Sequence, residues 1–341
     1  MENWQKCIQD LTALLESKIE LRQALEISIR KAGLVGIQTL EEYYNFLTKL
    51  LTEIPTQHDM GSLADKFHYL ISQSPDNILK KNASFRNWLI TFSQTHGSYL
   101  DTTVSAANLD TFIKDPEYNI KDYDKGASGW LTFNQFFARH VKPGKRPVAN
   151  PCDDAIIVSP ADSVYKGCWT IDEKSTLRAK GVTYSVMDLL VDSPFRDRFQ
   201  NGLFTHSYLN SNDYHRFHVP VAGTILEVRN IPGDVIVNTI KSEDGTLVTL
   251  DEVGFQFGQT RGLIIIESAI GLVAVLPIGM GHVSSVNLTV EPGAKLVKGE
   301  EFGYFAYGGS DMVILFEAGK IQFTATVGVH YKQGEKIAQS I

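Results

Sequence analysis

The chain has 341 residues, of which 43% are hydrophobic and 21% are charged, and its formal net charge is −7. A chain of this length and composition can bury a sizeable core and has room for about two domains. The acidic balance and the lack of a long basic run argue against nucleic acid as a partner. They also argue against attachment to an anionic membrane by charge alone.

The three cysteines, Cys7, Cys152 and Cys168, are odd in number and form no C-x-x-C pair. This pattern favours a reducing compartment over a disulfide framework. The N-terminus MENWQKCIQD lacks an apolar signal core, and the longest apolar runs are much shorter than the roughly 20 residues of a membrane-spanning helix. The sequence therefore predicts a cytoplasmic protein.

Residues 1–101 are predicted to form a helical N-terminal region. Apolar residues recur there at three- and four-residue steps, which is typical of amphipathic helices, in the segments 8–19, 43–54, 62–71 and 84–95. No catalytic pattern occurs in this region. We therefore expect the helices to pack on the rest of the chain, with a membrane surface or a second subunit as alternatives.

Residues 102–129 are polar and rich in turn-forming residues, and we interpret them as a linker. The following domain, 130–341, begins with a short helix and then changes to short apolar runs separated by Gly, Pro, Asn and Asp. This change predicts mostly antiparallel β structure, with strands near 155–158, 224–228, 234–238, 262–267, 271–278, 283–290 and 312–316, and one helix near 186–199. The turn-rich segment 290–303 is similar to turns of lipoyl-like barrels, so the predicted fold class is α+β with lipoyl-like barrel character.

The segment YFAYGGSDMVILF, residues 304–316, places a serine between an aromatic run and a strongly apolar run. Gly309 tolerates strained dihedral angles, so the Ser310 hydroxyl can turn back onto the Gly309 carbonyl. An acyl shift would give an ester, and β-elimination would leave a pyruvoyl group at the start of 310–341. Its ketone can form a Schiff base with a substrate amine and accept the electrons released with CO₂. Taken alone, Gly-Gly-Ser also fits a hairpin turn.

A serine needs a base within hydrogen-bond reach and a group that orients the base. The segment DYHRFHVPVAG supplies two imidazoles, His215 and His218, and the segment SPADS supplies a carboxylate, Asp162. Taken singly, the two histidines also fit a metal half-site or ordinary histidines, and the Pro-Ala-Asp segment also fits a plain turn.

Four motifs follow one another along residues 130–341: FNQFFARHVKPGKRPV, SPADSV, DYHRFHVPVAG and FGYFAYGGSDMVILFE. In this order they resemble the phosphatidylserine decarboxylase family of pyruvoyl enzymes. The resemblance implies an autocatalytically cleaved zymogen with a covalent pyruvoyl cofactor and no metal. The segment KGVTYS at 180–185, the following Leu189 and Leu190, and the helical extension are similar to the soluble amino-acid-decarboxylating branch, which includes the fungal tryptophan decarboxylases.

The resemblance assigns roles to the matching positions. Asp162 would orient His218, and His218 would take the proton from Ser310. Ser310 would then attack Gly309, so the cleavage site is the bond between these two residues. His215 would contact the substrate carboxylate or protonate the carbanion as a general acid.

Four further residues are candidates for substrate binding. Arg216 and Arg261 would hold an anionic group, although either also fits an ordinary surface ion pair. Met280 and His282 follow a predicted strand and would form part of the cavity wall, although they also fit a structural turn.

Three positions depart from the family pattern. Asp311 stands where the family commonly has Thr, Ser163 where Gly is usual, and Ala222 where an acidic or amide residue is common. The Asp311 carboxylate would either slow cleavage by its charge or help to remove the α-proton during elimination. None of the three changes removes a catalytic atom.

The leading substrate prediction is a free L-amino acid, with an aromatic one as the candidate, and phosphatidylserine is the alternative. Family members that act on the phospholipid usually carry an apolar N-terminal anchor, whereas this chain begins with polar amphipathic helices. The predicted partners are the amino-acid substrate, the cleaved chain 310–341 and further copies in a homo-oligomer. Membrane contact is expected only with the phospholipid.

Three other interpretations keep the chain intact. The first is a serine hydrolase with the triad Ser310, His218 and Asp162, although the G-x-S-x-G elbow is absent. The second is a metal site around the H-x-x-H pair, and the third is a non-enzymatic lipoyl-like binding module.

Overall fold

The computed structural model describes residues 2–59, 61–179, 182–249, 254–281, 285–307 and 309–341. The helices are α1 (Asn3–Ser17), α2 (Ile19–Ala32), α3 (Leu40–Thr52), α4 (Ser62–Ser72), α5 (Ile78–Lys81), α6 (Ala83–Leu100), α7 (Leu109–Ile113), α8 (Phe133–Phe137) and α9 (Val186–Leu189). Short 3-10 turns lie at Pro75–Asn77, Thr103–Ala106, Pro116–Tyr118, Ile120–Asp122, Arg196–Phe199 and Phe255–Phe257.

The strands are short and follow one another through the second half of the chain. They are β1 (Ile156–Val158), β2 (Ser163–Thr170), β3 (Thr176–Ala179), β4 (Val182–Ser185), β5 (Leu203–Leu209), β6 (Arg216–His218), β7 (Gly223–Ile231), β8 (Thr239–Lys241), β9 (Leu247–Thr249), β10 (Thr260–Ser268), β11 (Gly271–Met280), β12 (Val286–Leu288), β13 (Lys295–Leu296), β14 (Glu301–Phe305), β15 (Gly309–Phe316), β16 (Ile321–Phe323), β17 (His330–Tyr331) and β18 (Lys336–Ser340). Helices α1–α6 followed by mostly antiparallel sheets confirm the predicted α+β class.

Helices α1–α6 share one apolar core, because each turns a stripe of buried residues toward its neighbours. Helix α3 begins with a capping box, in which Thr39 and Glu42 satisfy each other's backbone N–H groups. Ile19, which we assigned to the first helical run, instead begins α2, because the chain turns at Lys18. The core extends to Val235 and Ile236 of the β region, so the helices pack against the sheets.

The segment 102–129 is part of the packed structure. It contains α7, and its aromatic residues Phe112 and Tyr118 are buried against Phe133 and Phe136 of α8. The proposed domain boundaries at 101 and 129 stay predictions.

The largest sheet has eight strands in the order β13-β7-β10-β11-β15-β5-β2-β17, and every neighbouring pair is antiparallel. Strand β15 lies between β11 and β5, and both faces of the sheet are covered by apolar clusters. This central position explains the almost continuous apolar run after Ser310. A second sheet, β12-β14-β6, lies beside the large sheet. Its strand β6 contains the Arg216–His218 part of the histidine motif.

Two details of the predicted β region were wrong, and a third is not confirmed. Residues 234–238 form no named strand, although Asp234 makes an isolated bridge with Gln259. The helix predicted near 186–199 is divided into α9 and a 3-10 turn, with Pro194 between them. Within the described residues, the large sheet ends at the edge strands β13 and β17 and is not a closed barrel, so the lipoyl-like barrel character is not confirmed.

Candidate active site

Ser310 lies near the start of β15 and is fully buried. Its backbone is in register with Gly279 of β11 and Leu209 of β5, and Gly309 is in register with Met280. The candidate scissile bond is therefore held between two strands. Such support restricts the motion of both reacting residues.

A cavity of about 740 Å³ borders this bond. Its wall includes Leu209 and Met280, the strand neighbours of Ser310 and Gly309, and Tyr307 of the segment before the bond. Helix α4 of the helical region closes another side with Asp65 and His68. Met280 lines this cavity and its role in substrate binding stays a prediction, whereas His282 lies outside the described residues.

The His215 imidazole is buried behind the cavity wall. Its ring packs on Phe137, with 3.9 Å between the ring centroids, and Phe137 itself lines the cavity. Nδ1 donates to the Asp213 carbonyl at 3.0 Å, which makes Nε2 the basic atom of the neutral ring. Burial, and then the charge of Arg139, lower the pKa of His215 well below its usual 6.5. In the described part of the chain, Nε2 has no hydrogen-bond partner.

The sequence did not identify Arg139 as a site residue. Its buried guanidinium lies 4.1 Å from the Tyr123 ring centroid and donates to the carbonyls of Asn212 and Asp213 at 2.7 and 3.0 Å. The Asp213 carbonyl thus accepts from both Arg139 and His215, so the arginine helps to fix the imidazole. In the sequence, Arg139 is only a cation that follows an apolar helix. The structure shows that this cation is buried, which is unusual for an arginine.

His218 is held by different partners from those predicted. Its Nδ1 donates to the Gly299 carbonyl at 2.8 Å, and the Tyr214 hydroxyl lies 3.1 Å from its Nε2. Burial lowers the pKa of His218, and the Gly299 carbonyl partly offsets that effect. The ring is therefore neutral at pH 7, and its Nε2 is the atom that can accept a proton.

Asp162 is bound by Arg146 rather than directly by His218. Arg146 Nε lies 2.8 Å from Oδ1, its terminal nitrogen lies 2.5 Å from Oδ2, and the Gln333 backbone N–H donates to Oδ1 at 2.8 Å. The backbone N–H of His218 donates to the Pro160 carbonyl at 2.8 Å, so the loop that carries Asp162 lies next to β6. The carboxylate raises the pKa of His218 through its charge, as a minor contribution.

The two arginines proposed for substrate binding already have protein partners. Arg216 donates to the Ala138 carbonyl at 2.8 Å and to Glu301 at 2.6 Å, and it lines a different cavity of about 570 Å³. Arg261 is buried and donates to the carbonyls of Asp188, Leu189 and Gln259 at 2.6 to 2.9 Å. The structure does not bring either residue to the cavity beside Ser310, and a role in substrate binding remains a prediction.

The side chain of Asp213 anchors the loop that precedes His215. Oδ1 lies 2.7 Å from Nε2 of His330 in β17, and Oδ2 accepts from the Asn210 N–H at 2.7 Å. The Asp213 carboxylate raises the pKa of His330 above its ordinary 6.5. The largest cause is the hydrogen bond between the two side chains.

This ion pair makes folding stability depend on pH. Because the folded pKa of His330 is raised, the stabilisation is fully present below the unfolded value of 6.5 and is lost as the pH rises through the folded value. We expect the melting temperature of the wild type to fall more than that of His330→Gln between about pH 6 and about pH 8.5. His58→Gln, at an exposed position, is the matched control and should follow the wild type. Parallel curves for wild type and His330→Gln would contradict this assignment.

Comparison with known proteins identifies the family. The family model described as phosphatidylserine decarboxylase matches residues 133–339. The chain is 34% identical over 254 residues to phosphatidylserine decarboxylase proenzyme 3 of Schizosaccharomyces pombe, covering 72% of this chain and 26% of that protein. It is 33% identical over 256 residues to proenzyme 2 of Oryza sativa subsp. japonica, covering 74% and 40%. It is 28% identical over 283 residues to the proenzyme of Fusobacterium nucleatum subsp. nucleatum, covering 82% and 89%.

The matched region contains the large sheet, both motif histidines, Asp162 and the Gly309–Ser310 bond. The relatives that share this region are named as decarboxylases made as proenzymes. The chain belongs to the phosphatidylserine decarboxylase family. The match to the Schizosaccharomyces pombe protein covers only about a quarter of that protein's length, and the match to the rice protein covers two-fifths. All three relatives are named for phosphatidylserine, so they do not support the predicted closeness to the amino-acid branch.

Proposed function

We propose that this chain cuts itself between Gly309 and Ser310 and that the processed protein removes CO₂ from phosphatidylserine to form phosphatidylethanolamine. The observation that carries the proposal is the position of this bond, between two strands and beside a cavity. The names of the relatives support the phospholipid over the free amino acid that the sequence favoured.

Self-cleavage uses atoms that are already adjacent. Ser310 Oγ attacks the Gly309 carbonyl carbon, the C–N bond breaks, and an ester and a free Ser310 amine result. Removal of the Ser310 α-proton then expels the Gly309 carboxylate from Cβ and leaves a dehydroalanine. Addition of water and loss of ammonia convert it into a ketone, the pyruvoyl group. Atoms and electrons balance without an external oxidant.

His218 is the proposed base for the first of these steps. Its Nδ1–H is committed to the Gly299 carbonyl, which leaves Nε2 as the acceptor, and its lowered pKa keeps that nitrogen unprotonated near pH 7. Asp162 and Arg146 hold the neighbouring loop in place through their paired charges. We infer that Asp162 and Arg146 act on His218 by positioning β6 and by the electrostatic field of the Asp162 carboxylate, and not by a direct hydrogen bond.

The surroundings of Ser310 fit a pyruvoyl group. The residue is fully buried, its strand neighbour Leu209 lines the cavity, and a small planar ketone would replace a side chain of similar size. When present, this group supplies an electrophilic carbonyl for the substrate amine and takes up the electrons released with CO₂. The protein excludes water through apolar packing around β15. The role of His215 in contacting the substrate carboxylate or in protonating the carbanion stays part of the proposal.

A phospholipid substrate requires that the cavity reach a bilayer. Among the described residues, no helix is both long and apolar enough to cross a membrane. The cysteine pattern supports a cytoplasmic location. Because phosphatidylserine is a membrane lipid, we propose contact with a membrane surface. Assembly into homo-oligomers is a separate hypothesis.

A substrate panel tests the phospholipid assignment. Processed protein is supplied with phosphatidylserine in mixed micelles, with glycerophosphoserine, which is the headgroup without acyl chains, and with single amino acids that include tryptophan and serine. We expect CO₂ release from phosphatidylserine to exceed that from every amino acid by at least about 100-fold in kcat/KM, about 2.7 kcal/mol of transition-state stabilisation. Faster release from a free amino acid would overturn the phospholipid assignment and return the amino acid to first place.

A further inference from the structure

A buried polar network surrounds the residue that follows the scissile bond. The Asp311 carboxylate lies 2.6 to 2.7 Å from Nε2 of His206 on β5. It also accepts from Nε2 of Gln256 at 2.8 Å. All three side chains are almost completely buried, with exposed fractions of 1% or less. A carboxylate in such a place is stable only when donors surround it, and here two side chains converge on it.

The Gln256 amide is itself oriented. Its Oε1 accepts from the Gly254 N–H at 2.7 Å, which turns Nε2 toward Asp311. The donor to the carboxylate is thus fixed by a backbone group of its own segment. The network therefore joins three parts of the chain: β5, β15 and the turn that precedes β10.

Asp311 and Ser310 point to opposite faces of the sheet, because consecutive residues of a strand alternate. Met312 and Ile314, which share the face of Ser310, belong to one apolar cluster, whereas Val313 and Leu315, which share the face of Asp311, belong to another. The Asp311 carboxylate is therefore engaged behind the reaction face. This placement does not favour either predicted effect of Asp311 on cleavage, through charge or through α-proton removal.

We propose that His206 and Gln256 hold Asp311 as an anchor for the new chain end that self-cleavage creates at residue 310. The inference rests on the proposed cleavage. In the uncut chain, the covalent bond to Gly309 restrains β15, whereas after cleavage β15 begins at a free end, and free ends fray. Backbone pairing alone leaves the first residues of β15 the least restrained part of the strand. The buried carboxylate fixes the residue next to the prosthetic group from the side that substrate does not occupy. Asp311, His206 and Gln256 are thus positioning residues.

A thermodynamic cycle separates this anchor from ordinary core stability. Asp311→Asn and His206→Asn are each made in the self-cleaving chain and in the uncut Ser310→Ala chain, and melting temperatures are compared after cleavage is verified on a denaturing gel. Asn at 311 removes the negative charge and replaces one acceptor oxygen by a donor without a change in size, so the two neighbouring donors lose their ionised acceptor. We expect each substitution to lower the melting temperature of the cut protein by at least about 3 °C more than that of the uncut protein.

Val313→Ala is the matched control. It lies in the same strand and on the same face, two residues further from the cut, and should lower both melting temperatures equally. A second readout is the fraction of peptide 310–341 that stays with 1–309 during native gel filtration, which should fall only in the network variants. Gln256→Met replaces Asp311→Asn if the latter does not fold.

The outcomes distinguish this proposal from the proposed function. Cleaved protein whose network variants lose equal stability in the cut and uncut forms would overturn the anchor and leave self-cleavage standing. A wild-type chain that never cleaves would overturn both.

Discussion

Ser310→Ala is expected to give a folded, single uncut chain of 341 residues with CO₂ release at background. The substitution removes the only oxygen that can attack the Gly309 carbonyl from the next residue, so neither the ester nor the ketone can form. The residue is fully buried, and alanine fits the same space, so the fold should survive. A denaturing gel, a melting curve and a CO₂ assay on the same preparation measure the three properties.

Ser207→Ala is the control for this variant, because Ser207 lies on the neighbouring strand in register with Met312. It should cleave normally. Normal activity of Ser310→Ala would end the proposal, whereas an unfolded variant would be replaced by Ser310→Gly and the measurement repeated.

His218→Ala should slow self-cleavage by a factor of about 10² to 10⁴, the usual contribution of a general base. The reason is that Nε2 is the unprotonated, proton-accepting nitrogen of a ring whose other nitrogen donates to the Gly299 carbonyl. The measurement is the time course of peptide 310–341 on a denaturing gel after synthesis of the uncut chain. Added imidazole should restore part of the rate, because the substitution leaves space where the ring was.

His58→Ala, at an exposed position in the helical region, should cleave at the wild-type rate. A fully and rapidly processed His218→Ala chain would remove this histidine from the mechanism while Ser310 stays in place. His215→Gln helps to separate the two histidines, because we expect it to permit cleavage and to reduce CO₂ release.

Much of the candidate site could be proposed from the sequence, because the proposed covalent chemistry depends on contiguous residues. Gly309 and Ser310 are neighbours in the chain, and His215 and His218 belong to one motif, so their types and spacing are visible directly. The apolar run after Ser310 also indicated a buried strand, and β15 is indeed central in the sheet.

The polar partners could not be predicted, because they come from distant parts of the chain. His206 and Asp311 are 105 residues apart and meet only through the pairing of β5 with β15. The contact of Arg139 with the Asp213 carbonyl spans 74 residues. Arg146 lies in the first of the four motifs, but the sequence does not show that it is the direct partner of Asp162.

The partners of the two arginines proposed for substrate binding could not be predicted either. Arg216 and Arg261 looked suitable for an anionic substrate because a positive charge is visible in a sequence and its partners are not. Arg261 binds three backbone carbonyls, and burial lowers its pKa to about 10. The substrate was harder to predict than these partners, because the cavity wall combines helix α4 with β5, β11 and the segment before Ser310.

The most direct measurement is the intact mass of the purified protein before and after treatment with borohydride. Self-cleavage predicts two polypeptides, 1–309 and 310–341, of which the smaller begins with a ketone, lacks a terminal amine and gains two hydrogens on reduction. A single polypeptide of 341 residues that borohydride leaves unchanged would show that the chain does not process itself.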